Sequence, residues 1–295
     1  MTVLVLGAGG LLGSNVIHFA LKRGHKVIGT YHSEPPAFEI PTEKLAIEQT
    51  DSFRKVLNQY SPDIVVNCAA MTDVDACEAD PEAALQVNGR APGQLADLCF
   101  DRGVDFVQVS TDYVFDGKHR TPYTESATAV PIQEYGRSKL AGERAVIEAD
   151  GSGLIVRLSF VWGVHRSTGE LTGFPAWVQN RLTAGETTPL FTDQSVSPSR
   201  AGTTGETILD LVAREQKGLF HVAARSCVTP YKFGLALCQQ LGEDPSFIQE
   251  GQLSAVERPA ERPRYTCLDV EKVESTLGHP QPTLSDDLRT VASLL

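Results

Sequence analysis

Apolar positions along this chain fall into short solid runs separated by amphipathic stretches, and the two alternate through the first half. Thr2-Val3-Leu4-Val5-Leu6 is an unbroken run, too short for a helix and without the alternation of a half-exposed strand. It predicts a strand buried on both faces. Leu12, Val16, Phe19 and Ala20 then recur at helical spacing. The same rhythm continues with a strand at Lys26–Thr30, a loop holding Pro35-Pro36, a helix from Asp51 to Tyr60 and a strand at Asp63–Asn67. A helix over Pro81–Phe100, a strand at Val104–Ser110, a helix carrying Tyr135 and Lys139, and a strand at Gly153–Leu158 complete the alternation. Strand and helix in strict turn imply an α/β fold, a Rossmann-type doubly wound parallel sheet covered on both faces.

Beyond Trp162 the elements shorten and Pro and Gly increase, as in Gly169–Pro175 and Pro259-Ala260-Glu261-Arg262-Pro263. The expected layout is a nucleotide-binding domain over residues 1–162, to which residues 200–223 return, and a smaller, discontinuous substrate-binding region over 163–199 and 224–295.

With 295 residues, 41% of them hydrophobic, the chain can bury a sizeable core. A net charge of −11 argues against binding nucleic acid through a basic face. No stretch approaches the roughly 20 apolar residues of a membrane span, and Met1 leads straight into the first strand, so the expected setting is the cytoplasm with no membrane partner. Cys68, Cys77, Cys99, Cys227, Cys238 and Cys267 form no C-x-x-C pair, and are expected to be reduced thiols with neither a zinc site nor a disulfide framework. No histidines have metal-ligand spacing, and no metal is expected.

The chemistry is concentrated in three places. Gly7-Ala8-Gly9-Gly10-Leu11-Leu12-Gly13 joins the first strand to the first helix. Gly7 suits a tight turn, Gly10 a close approach of backbone to pyrophosphate, and Gly13 close packing of helix on sheet. The pyrophosphate of a dinucleotide would sit at that helix's N-terminus. Tyr135 and Lys139, four apart, share one helical face. A phenol there can protonate an oxygen at a carbonyl carbon, and a nearby ammonium is expected to pull its pKa down. Ser110 and Thr111 stand where a strand ends, the edge at which ligands bind in open α/β sheets. The acidic group Asp73, Asp75, Glu78, Asp80 and Glu82 reads as a solvated helix start.

Together these residues resemble the extended short-chain dehydrogenase/reductase family, and within it the dTDP-4-dehydrorhamnose reductases. The likeness runs through Asn67–Glu78, Val87-Asn88, Ser110–Gly117, Tyr135–Glu143, Arg157–Gly163, Asp193–Ser199 and Arg262–Leu268. It implies Thr111, Tyr135 and Lys139 as the catalytic set and Gly7, Gly10, Leu11, Leu12, Gly13, Tyr31, Ala69, Ala70 and Asn88 along the cofactor, with Tyr135 and Lys139 also touching it. Ser110, Phe160, Trp162 and Arg262 would face a nucleotide-sugar substrate, with Arg262 clamping its phosphates. The implied activity is reduction of a nucleotide-linked 4-keto-6-deoxysugar. Positions 160 and 162 depart from the reductases' usual Trp and Tyr, which bears on the sugar more than on the reaction. The same resemblance also extends to a non-catalytic binding module, the regulatory β-subunit of methionine adenosyltransferase, and to sugar-nucleotide epimerases and dehydratases, and it allows a homodimer. Gly29-Thr30-Tyr31-His32-Ser33 holds no acid for the adenosine ribose, which favours NADPH, with NADH as the other candidate. Lys22, Arg23 and His32 are the basic side chains expected to reach a 2′-phosphate.

Overall fold

The computed structural model describes residues 1–150 and 153–295. The first half runs β1 (Thr2–Leu6), α1 (Leu11–Lys22), β2 (Lys26–Tyr31), β3 (Thr42–Lys44), α2 (Thr50–Tyr60) and β4 (Ile64–Asn67). It continues with α3 (Val74–Ala79), α4 (Pro81–Ala84), a π-helical turn (Leu85–Arg90), α5 (Ala91–Phe100), β5 (Asp105–Thr111), a 3₁₀ turn (Asp112–Val114), α6 (Glu134–Asp150) and β6 (Leu154–Leu158). The second half contains β7 (Val161–Val164), β8 (Leu171–Thr172), α7 (Phe174–Thr183), β9 (Thr188–Phe191), β10 (Ser199–Arg200), α8 (Ala201–Ala213) and β11 (Gly218–His221). It closes with α9 (Pro230–Leu241), β12 (Ile248–Gly251), α10 (Glu271–Leu277) and α11 (Leu284–Ala292).

A seven-stranded sheet in the order β11-β6-β5-β4-β1-β2-β3 forms the centre, and every pairing in it is parallel. Because successive strand residues face opposite ways, Val3, Val5, Val66, Val107 and Val156 pack into the layer of α1 and α8. Leu4, Leu6, Val65, Phe106 and Ile155 pack on the other side, against α2 and α5. A separate core around Trp162, Leu190, Phe233, Leu237 and Leu288 holds together α7, α9, α11, β7 and the β9-β12 pair.

Three sequence expectations change. The helix expected over Pro81–Phe100 is broken by the π-helical turn, after a start at Asp80, whose side chain accepts from Ala83 N. The polar Thr42-Glu43-Lys44 pairs with β2 at the sheet edge, where backbone bonding alone makes a strand without an apolar signature. The cysteines are not all reduced: Cys227 and Cys267 form a disulfide with Cα atoms 5.5 Å apart. Spacing could not reveal it, because the two are 40 residues apart. They meet because Ser195 bridges Tyr265 while Val196 bridges Val228, so adjacent residues gather both segments. The other four cysteines are free thiols.

Candidate active site

The strand order reverses between β1 and β4, and a cleft of about 640 Å³ opens at their carboxyl ends. Its first wall is backbone. Gly7 turns the chain at φ +73°, and a Cβ on Gly13 would stand 2.2 Å from the Gly7 carbonyl oxygen. That contact forces glycine at 13. Gly10 precedes helix α1 and offers no side-chain cap, so the amides of Leu11, Leu12 and Gly13 keep their donors for a ligand. Such a donor set at a helix start fits a pyrophosphate.

Ala69 and Ala70 line the same wall. Asn88 does not: its amide donates to Met71 O at 2.9 Å and accepts from Met71 N at 2.9 Å. The π-helical turn brings that side chain to the loop after β4, so Asn88 holds the loop that holds the cofactor wall, rather than facing the cleft. Tyr31 also lies outside the lining, and its neighbour His32 takes that place. A second recess at this end is bounded by Leu45, Ile47, Glu48 and Met71.

The catalytic candidates come together on the opposite side. Thr111, Tyr135 and Lys139 all line the cleft. Lys139 is almost completely buried and donates to Val109 O at 2.7 Å, and burial pulls its pKa down to about 8. Burial raises the Tyr135 pKa above its ordinary value, opposed by the nearby Thr111 hydroxyl. This reverses the expected lowering, because burial outweighs every opposing influence on the phenol, while one of the three Lys139 protons goes to a β5 carbonyl. Tyr113 stands edge-on to Tyr135, with ring centres 6.1 Å apart, and burial pushes its pKa up to about 12.

Ser110 reaches the cleft, but its hydroxyl donates to Glu143, which is bound twice by Arg157 at 2.8 and 2.7 Å. That buried ion pair ties α6 to β6, so Ser110 serves the scaffold. Phe160 lines the cleft with φ +47°, a strained value for a side chain of its size. Trp162 is fully buried and packs edge-on against Phe233 at 5.1 Å, which removes it from the candidate substrate contacts. Phe160 lies before β7 at a positive φ, so the alternation of the strand, which would put residues two apart on one face, does not carry from it to Trp162.

Arg262 is already engaged. Its guanidinium donates to both oxygens of Asp75, at 3.0 and 2.9 Å, and to Ala260 O at 2.8 Å. Asp75 is therefore a structural partner and not merely a solvated helix-start acid, and Arg262 has three of its five N–H donors committed within the chain. Two residues inside the matching runs had been given no role of their own. Gln194 donates to Pro263 O at 3.3 Å, and the buried Asp112 accepts from Thr111 at 3.1 Å and Ser159 at 2.7 Å. Asp112 had a signal, its place directly after Thr111, but its burial did not.

A family model described as the RmlD substrate binding domain matches residues 1–295. The chain belongs to that family. A probable low-salt glycan biosynthesis reductase, Agl14, of Haloferax volcanii is 50% identical over 98% of this chain and 96% of its own length. The dTDP-4-keto-6-deoxy-D-glucose reductase of Streptomyces niveus is 35% identical over 90% and 87%. Among solved structures, the dTDP-4-dehydrorhamnose reductase of Clostridium acetobutylicum superposes with a TM-score of 0.88 at 26% identity, over 100% of this chain and 99% of that one. The family's members share the extended short-chain fold, and the seven-stranded sheet of this chain is that fold. Among the described residues no helix is long and apolar enough to cross a membrane.

Proposed function

We propose that this chain is an NADPH-dependent reductase of a nucleotide diphosphate 4-keto-6-deoxyhexose, with dTDP-4-dehydro-L-rhamnose as the leading substrate. The observation that carries this reading is the convergence of Thr111, Tyr135 and Lys139 on a cleft whose other wall is a run of uncommitted amides. The reductase names of the relatives support the same reaction. When bound, the nicotinamide supplies the hydride. The chain's own residues do the rest: the amides of Leu11, Leu12 and Gly13 hold pyrophosphate, Lys139 orients the ribose beside β5, and Tyr135 gives its proton to the oxygen at C4. Residues 1–162 with 200–223 carry the cofactor side of this work, and 163–199 with 224–295 shape the sugar site. His32, the ionisable side chain at the end of β2 that lines the cleft, favours the cofactor with a 2′-phosphate. The protein works in the cytoplasm in this reading.

The test is a panel of keto-sugar nucleotides offered to the purified protein with NADPH and NADH. Oxidation of NADPH with a 4-keto-6-deoxy sugar, at a kcat/KM above that for NADH, is the expected outcome. Tight cofactor binding with no turnover on any member would overturn the enzymatic reading. A preference for NADH beyond about tenfold, or 1.4 kcal/mol, would overturn the cofactor assignment alone.

A further inference from the structure

Asp112 is 2% exposed and is the first residue of the 3₁₀ turn after β5, and among the described residues no lysine, arginine or histidine pairs with it. Its carboxyl accepts from Thr111 Oγ1 at 3.1 Å through one oxygen and from Ser159 Oγ at 2.7 Å through the other. The Thr266 hydroxyl lies near it outside hydrogen-bond geometry, and Tyr113 and Tyr135 face it from the 3₁₀ turn and α6. An unpaired buried carboxyl is costly when ionised. Its place beside two catalytic candidates calls for a use.

The use follows from counting protons on Thr111. A hydroxyl has one proton and two lone pairs. One lone pair of Thr111 already accepts from Tyr113 N at 3.2 Å. When Asp112 is ionised it can only accept, so the Thr111 proton goes to it. The remaining lone pair of Thr111 then attracts the nearby Tyr135 proton. Neither hydroxyl is then aimed at a ligand. When Asp112 is protonated it donates to Thr111, both lone pairs are filled, and the protons of Thr111 and Tyr135 are turned towards the cleft.

We propose that Asp112 is a positioning residue whose protonation sets the direction of the Thr111 hydroxyl, and through it the readiness of Tyr135 to donate to a keto oxygen. This rests on the reductase reading above. Burial, only partly offset by the surrounding hydroxyls, raises the Asp112 pKa to about 6, so the switch operates in a range the protein can meet. Only the protonated form is competent, so kcat/KM should fall about tenfold per pH unit above the ionisation.

The experiment compares pH profiles of kcat/KM for the wild type, Asp112→Asn and Ser159→Ala, alongside a carboxyl-carbon NMR titration of the wild type and Ser159→Ala. Asparagine can donate to Thr111 at every pH, so its profile should lose the limb near pH 6 and keep only the fall that Lys139 sets at higher pH. Ser159→Ala removes a bond to the ionised carboxylate, so limb and NMR titration should both move to higher pH; this arm decides the matter if Asp112→Asn does not fold. An unchanged limb in either folded variant, while the wild type turns over, would overturn the switch and leave the reductase intact. Absence of turnover by the wild type counts against the reductase, and the NMR titration then judges the switch alone. Titration of Asp112 in the ordinary carboxylate range, or no shift with Ser159→Ala, overturns it.

Discussion

The two walls of the cleft are built differently. The cofactor wall is backbone: a glycine turn, the open start of α1, and the alanines after β4, all set within a few residues of a strand end. The substrate wall is held by side chains reaching across the chain, including Arg262 on Asp75, Gln194 on Pro263, and the disulfide between Cys227 and Cys267. A backbone wall resists change in solvent because it contains few groups that titrate or oxidise. The substrate wall should respond to pH, reductant and single substitutions.

The largest response expected is to acid. His221 lies behind the substrate wall, fully buried, edge-on to Phe115 at 5.9 Å, with Nδ1 3.2 Å from Asp269 O. Burial first, then Arg157, lowers its pKa to about 3. Its neutral form fits, so its contribution is complete above the unfolded value near 6.5 and is lost as pH falls towards 3, up to about 5 kcal/mol. Urea unfolding of the wild type and His221→Asn between pH 7 and 5 should show the wild type losing about 2 kcal/mol more. Parallel pH slopes would disconnect His221 from acid sensitivity, and because both proteins retain Asp112 its opposite slope cancels.

Tyr135 probes the point where the walls meet. Tyr135→Phe should lower kcat by about 10²–10⁴-fold, or roughly 3–5 kcal/mol, with cofactor affinity almost unchanged, because only the proton is lost. Lys139→Ala should harm both rate and cofactor binding. Near-normal turnover by the Phe variant would remove the phenol from the mechanism and favour a binding module.

The same contrast decides what could be read from the sequence. The glycine loop and the Tyr135 and Lys139 helix were legible because each acts within one element, where spacing alone sets geometry. Phe160 and Trp162 were read alike, yet one lines the cleft and the other fills a core, since Phe160 stands before β7 at a positive φ and Trp162 stands within the strand. Asn88 was legible as important but not in its task, because a π-helical turn has no periodic signature. The partnership of Arg262 with Asp75 spans 187 residues, and only the folded sheet brings them together. Asp112 was hidden for a different reason: an aspartate in a turn is ordinarily solvated, and burial of this one depends on β6, α6 and the 266 segment together.

The disulfide should matter next. Unfolding without reductant should expose four reactive thiols rather than six. Cys267→Ser should lower stability by about 2–4 kcal/mol, mainly by freeing the unfolded chain. Its effect on KM for the sugar nucleotide should exceed that on cofactor affinity, because the bond lies behind the substrate wall. Six thiols, or equal effects on both ligands, would break the contrast between the walls at this point.

The smallest effect expected, and the one that defines the substrate wall most finely, concerns Asp75 and Arg262. Their side chains are 36% and 13% exposed, so water screens part of the attraction and the pair should contribute only about 1 kcal/mol to stability. Its value lies in geometry. Arg262 is fixed at both Asp75 oxygens and at Ala260 O, which anchors the 260–264 segment over α3. If anchoring is its task, Asp75→Asn and Arg262→Gln should each raise KM several-fold with kcat nearly intact, and the double variant should cost no more than either alone, since both remove one contact. If Arg262 instead clamps phosphate, the two act on different partners and their costs should add. A double-mutant cycle on KM therefore separates a segment held by its own carboxylate from one held by the substrate.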